Sequence, residues 1–163
     1  MESKLRRFEQ IARRAFLFTS AKPEAERTLH PFDERNIHQL LPSKVKKLFD
    51  DGHYAESTFH AFKFIDKEIQ RLASSTESGS KLMMAALNDV SPLVRLSPCR
   101  TTSEKNEQKG YQFIFAGSAL AIRNPRGHEC DVHDSPDACL DHLSLASLLL
   151  RRLERSGYTL TKP

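Results

Sequence analysis

The stretch His53-Tyr-Ala-Glu-Ser-Thr-Phe-His-Ala-Phe-Lys-Phe-Ile-Asp-Lys-Glu-Ile-Gln-Arg-Leu-Ala73 decides the fold. Ala55, Thr58, Phe62, Ile65, Ile69 and Leu72 step along it by alternating three and four residues, the period that gathers apolar side chains on one face of an α-helix. Upstream, Ile37, Leu40, Leu41, Val45, Leu48 and Phe49 keep the same rhythm. Pro42 interrupts it, because a proline without an N–H kinks or restarts a helix, and Gly52 stops it. Downstream, Ser74 to Ser80 reads as a Ser/Gly-rich loop, and Lys81 to Leu87 as a short helix whose Met83 and Met84 fill gaps in the core. Ser91 to Asn106, with two prolines and many small polar residues, predicts the longest loop, a lid-like segment that Val94 and Leu96 can pin at its middle.

Glu107 to Ile122 turns apolar almost all round, through Tyr111, Phe113, Ile114, Phe115, Ala116, Ala119, Leu120, Ala121 and Ile122. Such a helix belongs in the centre of a bundle, and the small residues from Ala116 to Ala119 let a neighbouring backbone approach. The last helix is marked at both ends, by Ser135 as N-cap and Pro136 at its first position, and by Gly157 beyond Arg151, Arg152 and Arg155. Cys139, Leu143, Ala146, Leu150 and Leu153 form its stripe. No period-2 segment and no internal repeat stands out, so the expected fold is an all-α bundle of about five helices.

At the N-terminus, Ser3 to Phe18 alternates an apolar stripe with Arg6, Arg7, Arg13 and Arg14. It reads as a basic amphipathic helix docked on the domain, a membrane or nucleic-acid surface being the weaker reading. The expected division is residues 1–30 as this helix and its linker, and residues 31–163 as the helical domain. The whole chain has 163 residues with 39% hydrophobic and 28% charged, enough to bury a core and inconsistent with wholesale disorder or a disulfide-stapled miniprotein. Cys99, Cys130 and Cys139 form no CxxC pair and read as free thiols of a cytoplasmic protein. No apolar run approaches the ~20 residues that span a bilayer, so no membrane partner is expected. A net charge of +4 is too mild to identify a partner.

Function therefore rests on a site, and the one concentration of polarity between helices is Arg123-Asn124-Pro125-Arg126-Gly127-His128-Glu129. Pro125 disfavours α geometry at Asn124, so a bend is expected there, with a permanent cation, an amide and a near-neutral acid/base gathered around it. Metal-independent phosphodiester cleavage calls for such groups. Histidine can take a proton from a ribose 2′-OH or return one to the leaving 5′-oxygen. Arginine can stabilise the charge of the phosphorane-like transition state. The bland alternative is an arginine that caps its helix, with His128 hydrogen-bonded beside it.

The motif from Arg123 to Glu129, preceded by Phe113-Ile-Phe-Ala-Gly-Ser-Ala-Leu-Ala-Ile122, resembles the Arg-x4-6-His signature of the HEPN superfamily. More narrowly, Phe49-Asp-Asp-Gly-His-Tyr-Ala55, Gly79-Ser-Lys-Leu-Met83 and Ala146-Ser-Leu-Leu-Leu-Arg-Arg-Leu153 resemble its Ymh-type, abortive-infection branch. The resemblance runs from about His30 to Arg155 and implies a HEPN-like bundle forming a two-fold homodimer with the motif at the interface. It also implies an endoribonuclease of the toxin or phage-defence kind that needs no cofactor and leaves a 2′,3′-cyclic phosphate. RNA would be its partner, with an antitoxin or other defence-system protein beside it. By that likeness Arg123 and His128 are the catalytic pair and Asn124 supports them. Glu56 and Lys63, on the polar face of the His53–Ala73 helix, are candidate supporting residues together with Arg126 and Glu129. The family also contains non-catalytic modules that bind nucleic acid or a partner protein, which is the alternative function.

Two other groupings weigh less. His128, Cys130, His133, Cys139 and His142 are all potential zinc ligands, but their spacings match no standard motif and Cys139 sits on a core stripe, so no metal is expected. Arg151, Arg152 and Arg155 read as a charge complement to a helix C-terminus, with RNA phosphates as a second use.

Overall fold

The computed structural model describes residues 29–129 and 131–162, together with residues 7–9 and 11. Most of the expected Ser3–Phe18 helix, the linker before Leu29, and Cys130 lie outside the described residues. Residues 7–9 and 11 are helical, and Phe8 and Ile11 stand 74% and 63% exposed, so at these positions the apolar stripe is not docked on the domain.

The described chain is all-helical. It comprises α1 (Pro31–Glu34), α2 (Ser43–Asp50), α3 (Tyr54–Ala73), α4 (Gly79–Ala86), α5 (Thr102–Ser118), a π-helical turn (Ala119–Arg123), α6 (Asn124–His128) and α7 (Pro136–Arg155). Five of the seven α-helices have at least seven residues, the number expected, and no strand occurs among the described residues. The central element is α3, which packs against α2, α4, α6, α7 and the π-helical turn. Ile65 and Ile69 of α3 interlock with Leu143, Leu149, Leu150 and Leu153 of α7, all within 1% of complete burial. Each fully buried aliphatic side chain of this seam contributes about 1.5–3 kcal/mol.

Helix ends follow local chemistry. Gly52 and Gly157 adopt φ of 82° and 90°, and each lies in a Schellman closure: His53 N–H donates to Leu48 O, and Tyr158 N–H to Leu153 O. Ser135 caps α7 through the Ala138 N–H, as expected. Thr101 and Glu104 form a reciprocal capping box at the start of α5.

Several expectations are corrected. The rhythm of Ile37–Leu41 is not helical: these residues form a turn in which Ile37 and Leu41 are buried, and the helix begins only after Pro42. Of the two methionines expected in the core, Met83 is buried but Met84 is 40% exposed. Ser91–Asn106 is not a lid. Its C-terminal part is already α5, and its middle is stapled by the fully buried Gln108. That amide accepts from the N–H groups of Leu96 (2.7 Å) and Ser97 (3.1 Å) and donates to the carbonyls of Leu87 (2.9 Å) and Val94 (3.1 Å). Nor does α5 occupy the centre of the bundle. With the π-helical turn that continues it, it buries Gln108, Gln112, Phe115, Ala116 and Ala119 along one side, while Phe113, Ile114 and Leu120 remain 53%, 42% and 56% exposed. The all-round apolar composition therefore marks one face for the core and leaves a second face uncovered.

Because all four partners of the Gln108 amide are backbone groups, replacing it with Leu strands two donors and two acceptors in the core. Gln108→Leu is expected to cost about 3 kcal/mol, measured as a lower urea midpoint at unchanged m-value.

Candidate functional site

The motif does not bend where Pro125 was expected to bend it. Asn124 has φ −64° and ψ −46°, ordinary helical values, and the chain runs through it into α6. The π-helical turn makes this possible. Asn124 N–H donates to Ala119 O, five residues back, which widens the helix where the proline ring would otherwise strike the carbonyl four residues behind it. Pro125 then falls in the first turn of α6, where its missing N–H leaves no gap.

The two arginines of this turn have opposite fates. Arg126 is satisfied and buried. Its Nε and Nη2 donate to Asp134 Oδ2 and Oδ1 at 2.7 and 2.5 Å, its Nη1 donates to Ile122 O at 2.8 Å, and both side chains of the pair are less than one-tenth exposed. Arg126 thus ties α6 to the π-helical turn before it and to Asp134. Arg123 has five guanidinium N–H groups to place, and one is hydrogen-bonded among the described residues, from Nη1 to Asn124 Oδ1 at 3.1 Å. Its Nη2 lies 3.9 Å from Asp66 Oδ2, while its buried Nε has no hydrogen-bond partner. The guanidinium sits 5.8 Å from the centroid of the Phe59 ring and is about one-fifth exposed. This is a pre-placed cation with unused donors.

Helix α3 supplies the wall opposite the motif. Lys63 Nζ stands 5.7 Å from the same Phe59 centroid, so two cations flank one ring. Asp66, only 4% exposed, accepts the Gly79 N–H at 2.7 Å and holds its other oxygen toward Arg123. Sequence reasoning missed Asp66. The signal was present, since an aspartate at i+4 beside Phe62, Ile65 and Ile69 places an acid on the apolar stripe of α3. Gly127 is required by packing, because a Cβ there would come within 2.8 Å of Phe59 Cε2.

The remaining candidates are dispersed. His128 and Glu129 are exposed at the end of α6, and His128 has no hydrogen-bond partner among the described residues. His128 follows Arg123 by five positions, about 140° of rotation and about 7.5 Å of rise on an ideal helix, so the two side chains leave the helix in different directions. Glu56 is exposed in the first turn of α3 and faces His60.

Residues 35–153 match the family model described as "Protein of unknown function (Hypoth_ymh)". The chain belongs to the Hypoth_ymh family. The matched segment contains α2 to α6 and nearly all of α7, and with them every candidate site residue. No curated protein and no solved structure gives a significant match.

Around the Hypoth_ymh motif, the potential zinc ligands among the described residues do not assemble. Cys139 is fully buried in the core, where desolvation pushes its thiol up. His142 lies against the Arg126–Asp134 pair, and among the described residues no group of three or more His, Cys, Asp or Glu is placed to hold a metal ion. Arg151 and Arg152 are engaged with the fold. Arg151 donates to Asn36 O, and Arg152 donates to Leu96 O, pairs with Glu107 at 2.9 Å and lies over Tyr111. No helix among the described residues is long and apolar enough to cross a membrane.

Burial alone would push the Asp134 carboxyl up, but the hydrogen bonds and charge of Arg126, with His142 beside it, hold it below the usual range. His142 is pushed down by burial and then by the Arg126 charge, against Asp134 and Asp141. Both groups favour their deprotonated forms in the folded state, so both contributions are present at neutral pH and weaken in acid. His142 loses its contribution as pH falls from about 6.5 through its lowered folded value. The urea midpoint should therefore drop between pH 7.5 and pH 5, and His142→Gln should flatten that drop. Asp134→Ala leaves Arg126 buried without a counter-charge and is expected to cost about 3 kcal/mol, read by the same titration at pH 7.5. Gly127→Ala must displace the Phe59 ring and should lower stability by about 2 kcal/mol.

Proposed function

We propose that the protein is a metal-independent endoribonuclease of the HEPN type, a toxin or phage-defence effector acting in the cytoplasm, in which Arg123 binds the scissile phosphate and His128 moves protons. The observation that carries this reading is the contrast between the arginines. Arg126 spends its donors on the fold, whereas Arg123, one turn earlier, is oriented by Asn124 and Asp66 yet keeps free N–H groups and a buried, unpaired Nε. A part-buried guanidinium with open donors suits a phosphoryl group whose negative charge grows in the transition state. His128, exposed and unengaged among the described residues, is free to exchange protons with solvent and substrate.

The angular separation of Arg123 and His128 favours a site shared between two chains. In a two-fold dimer, His128 of one protomer meets Arg123 of its partner, and the acid and base of the cleavage come from two copies. The uncovered face of α5 and the π-helical turn, with Phe113, Ile114 and Leu120, runs toward the motif and offers the apolar surface such a pairing needs. Attack of the ribose 2′-oxygen on phosphorus, with loss of its proton to one histidine, expels the 5′-oxygen, which takes a proton from the other. The products are a 2′,3′-cyclic phosphate and a 5′-hydroxyl.

The test is cleavage of bacterial RNA by purified protein in EDTA. Wild type should cut, and both Arg123→Ala and His128→Ala should lose at least about 100-fold in rate with unchanged circular dichroism and oligomeric state. RNA binding without cleavage by the wild type would instead identify a non-catalytic nucleic-acid-binding module, the second reading of this motif.

A further inference from the structure

We infer that the motif-facing surface of α3, continued by the start of α2, is a binding track for a single-stranded RNA backbone, in which Lys63 and Lys44 neutralise phosphates leading into the Arg123 position. The inference rests on the ribonuclease reading and adds to it where the strand outside the cleaved bond runs. Three observations locate the track. Phe59 has both Lys63 and Arg123 close to its ring centroid, at 5.7 and 5.8 Å, and packs against Gly127, so the ring fixes the start of the track against the motif helix. His60 follows on the same helix, its ring edge-on to Phe59 at 5.6 Å between centroids. Lys44 stands at the start of α2, next to Val45, whose carbonyl accepts the Ser57 hydroxyl of α3 at 2.8 Å, so the first turn of α2 lies beside the stretch of α3 that carries His60.

The charges on this surface are not compensated by the fold. Lys44 and Lys63 are exposed, and neither has an ion-pair partner among the described residues. That differs from Lys47 and Lys81, which pair with Asp51 and Glu77 one turn away. His60 itself is pushed down by burial and by the two lysines, against Glu56, so it supplies a neutral hydrogen-bonding group and the lysines supply the charge. Glu56 is the carboxylate that faces His60, and it marks where the cationic surface ends along α3. Two uncompensated cations beside a half-buried ring and a neutral imidazole, opening onto an arginine with unused donors, match the alternating phosphates and bases of a flexible strand.

The test is a fluorescence-anisotropy titration of a 2′-O-methylated single-stranded RNA, which binds but cannot be cut at its modified riboses. It is run with the full chain, the double variant Lys44→Ala/Lys63→Ala, and Lys105→Ala as a control. Lys105 is exposed near the start of α5, roughly 25 Å along the helix from Arg123. The double variant should bind about tenfold or more weakly, and its slope of log affinity against log salt should fall by about 1.4, two single-strand phosphate contacts. The control should stay within about twofold of wild type. Wild-type cleavage of unmodified RNA is measured in parallel. If wild type binds and cuts but the double variant binds as tightly as the control, the track is overturned and the ribonuclease reading stands. If wild type neither binds nor cuts, both fall together.

Discussion

Taking a guanidinium and a carboxylate out of water costs several kcal/mol unless each finds full hydrogen bonding, and Arg126 and Asp134 meet that condition with a bidentate contact and a capped carbonyl. The pair ties the short helix carrying the motif to the segment that enters α7. Because α7 is locked against α3 by the leucine seam, the motif inherits its position from the core. With Arg126 committed, Arg123 is left to face α3 and the start of α4, where Asp66, Phe59 and Gly79 set its surroundings. The fold thus divides labour between two neighbouring residues of the same type.

Much of this was readable from residue order. The period of α3, the capped ends of α7 and the stop at Gly52 are local signals, and the structure carries them over with only small shifts at the ends. Two readings failed because they relied on composition where geometry decides. Apolar residues all round α5 did not mean burial all round, since Gln108 and Gln112 lie on its buried side. Two prolines and a run of small residues between α4 and α5 did not mean mobility, since a single amide four turns ahead of the motif satisfies the backbone of that segment. A glutamine with four backbone partners has no sequence signature.

For the site, Arg123 and His128 could be picked out, but their relation could not. Pro125 signals a break in any ordinary helix, and only the five-residue hydrogen bond at Asn124 converts that break into continuation. The environment of Arg123 depends on α3, some sixty residues earlier. The choice of Glu56 and Lys63 followed the polar face of that helix, and the structure brings Lys63 and not Glu56 to the ring shared with Arg123. The carboxylate nearest Arg123 comes from the apolar face, where Asp66 looks like an exception until its partners are seen.

The π-helical turn has a consequence for how this family can vary in length. A turn with one residue more than an α-helix needs is a reservoir of a single residue, and losing it would restore an uninterrupted helix from Thr102 onward. Everything after the deletion would then rotate by about 100° relative to α5. Arg123 would swing away from Asp66 and Phe59, and Pro125 would meet the preceding carbonyl. Insertions in the loops around α4 would leave the motif where it is, whereas a one-residue gap between Ala119 and Arg123 would turn it to a different side of the molecule.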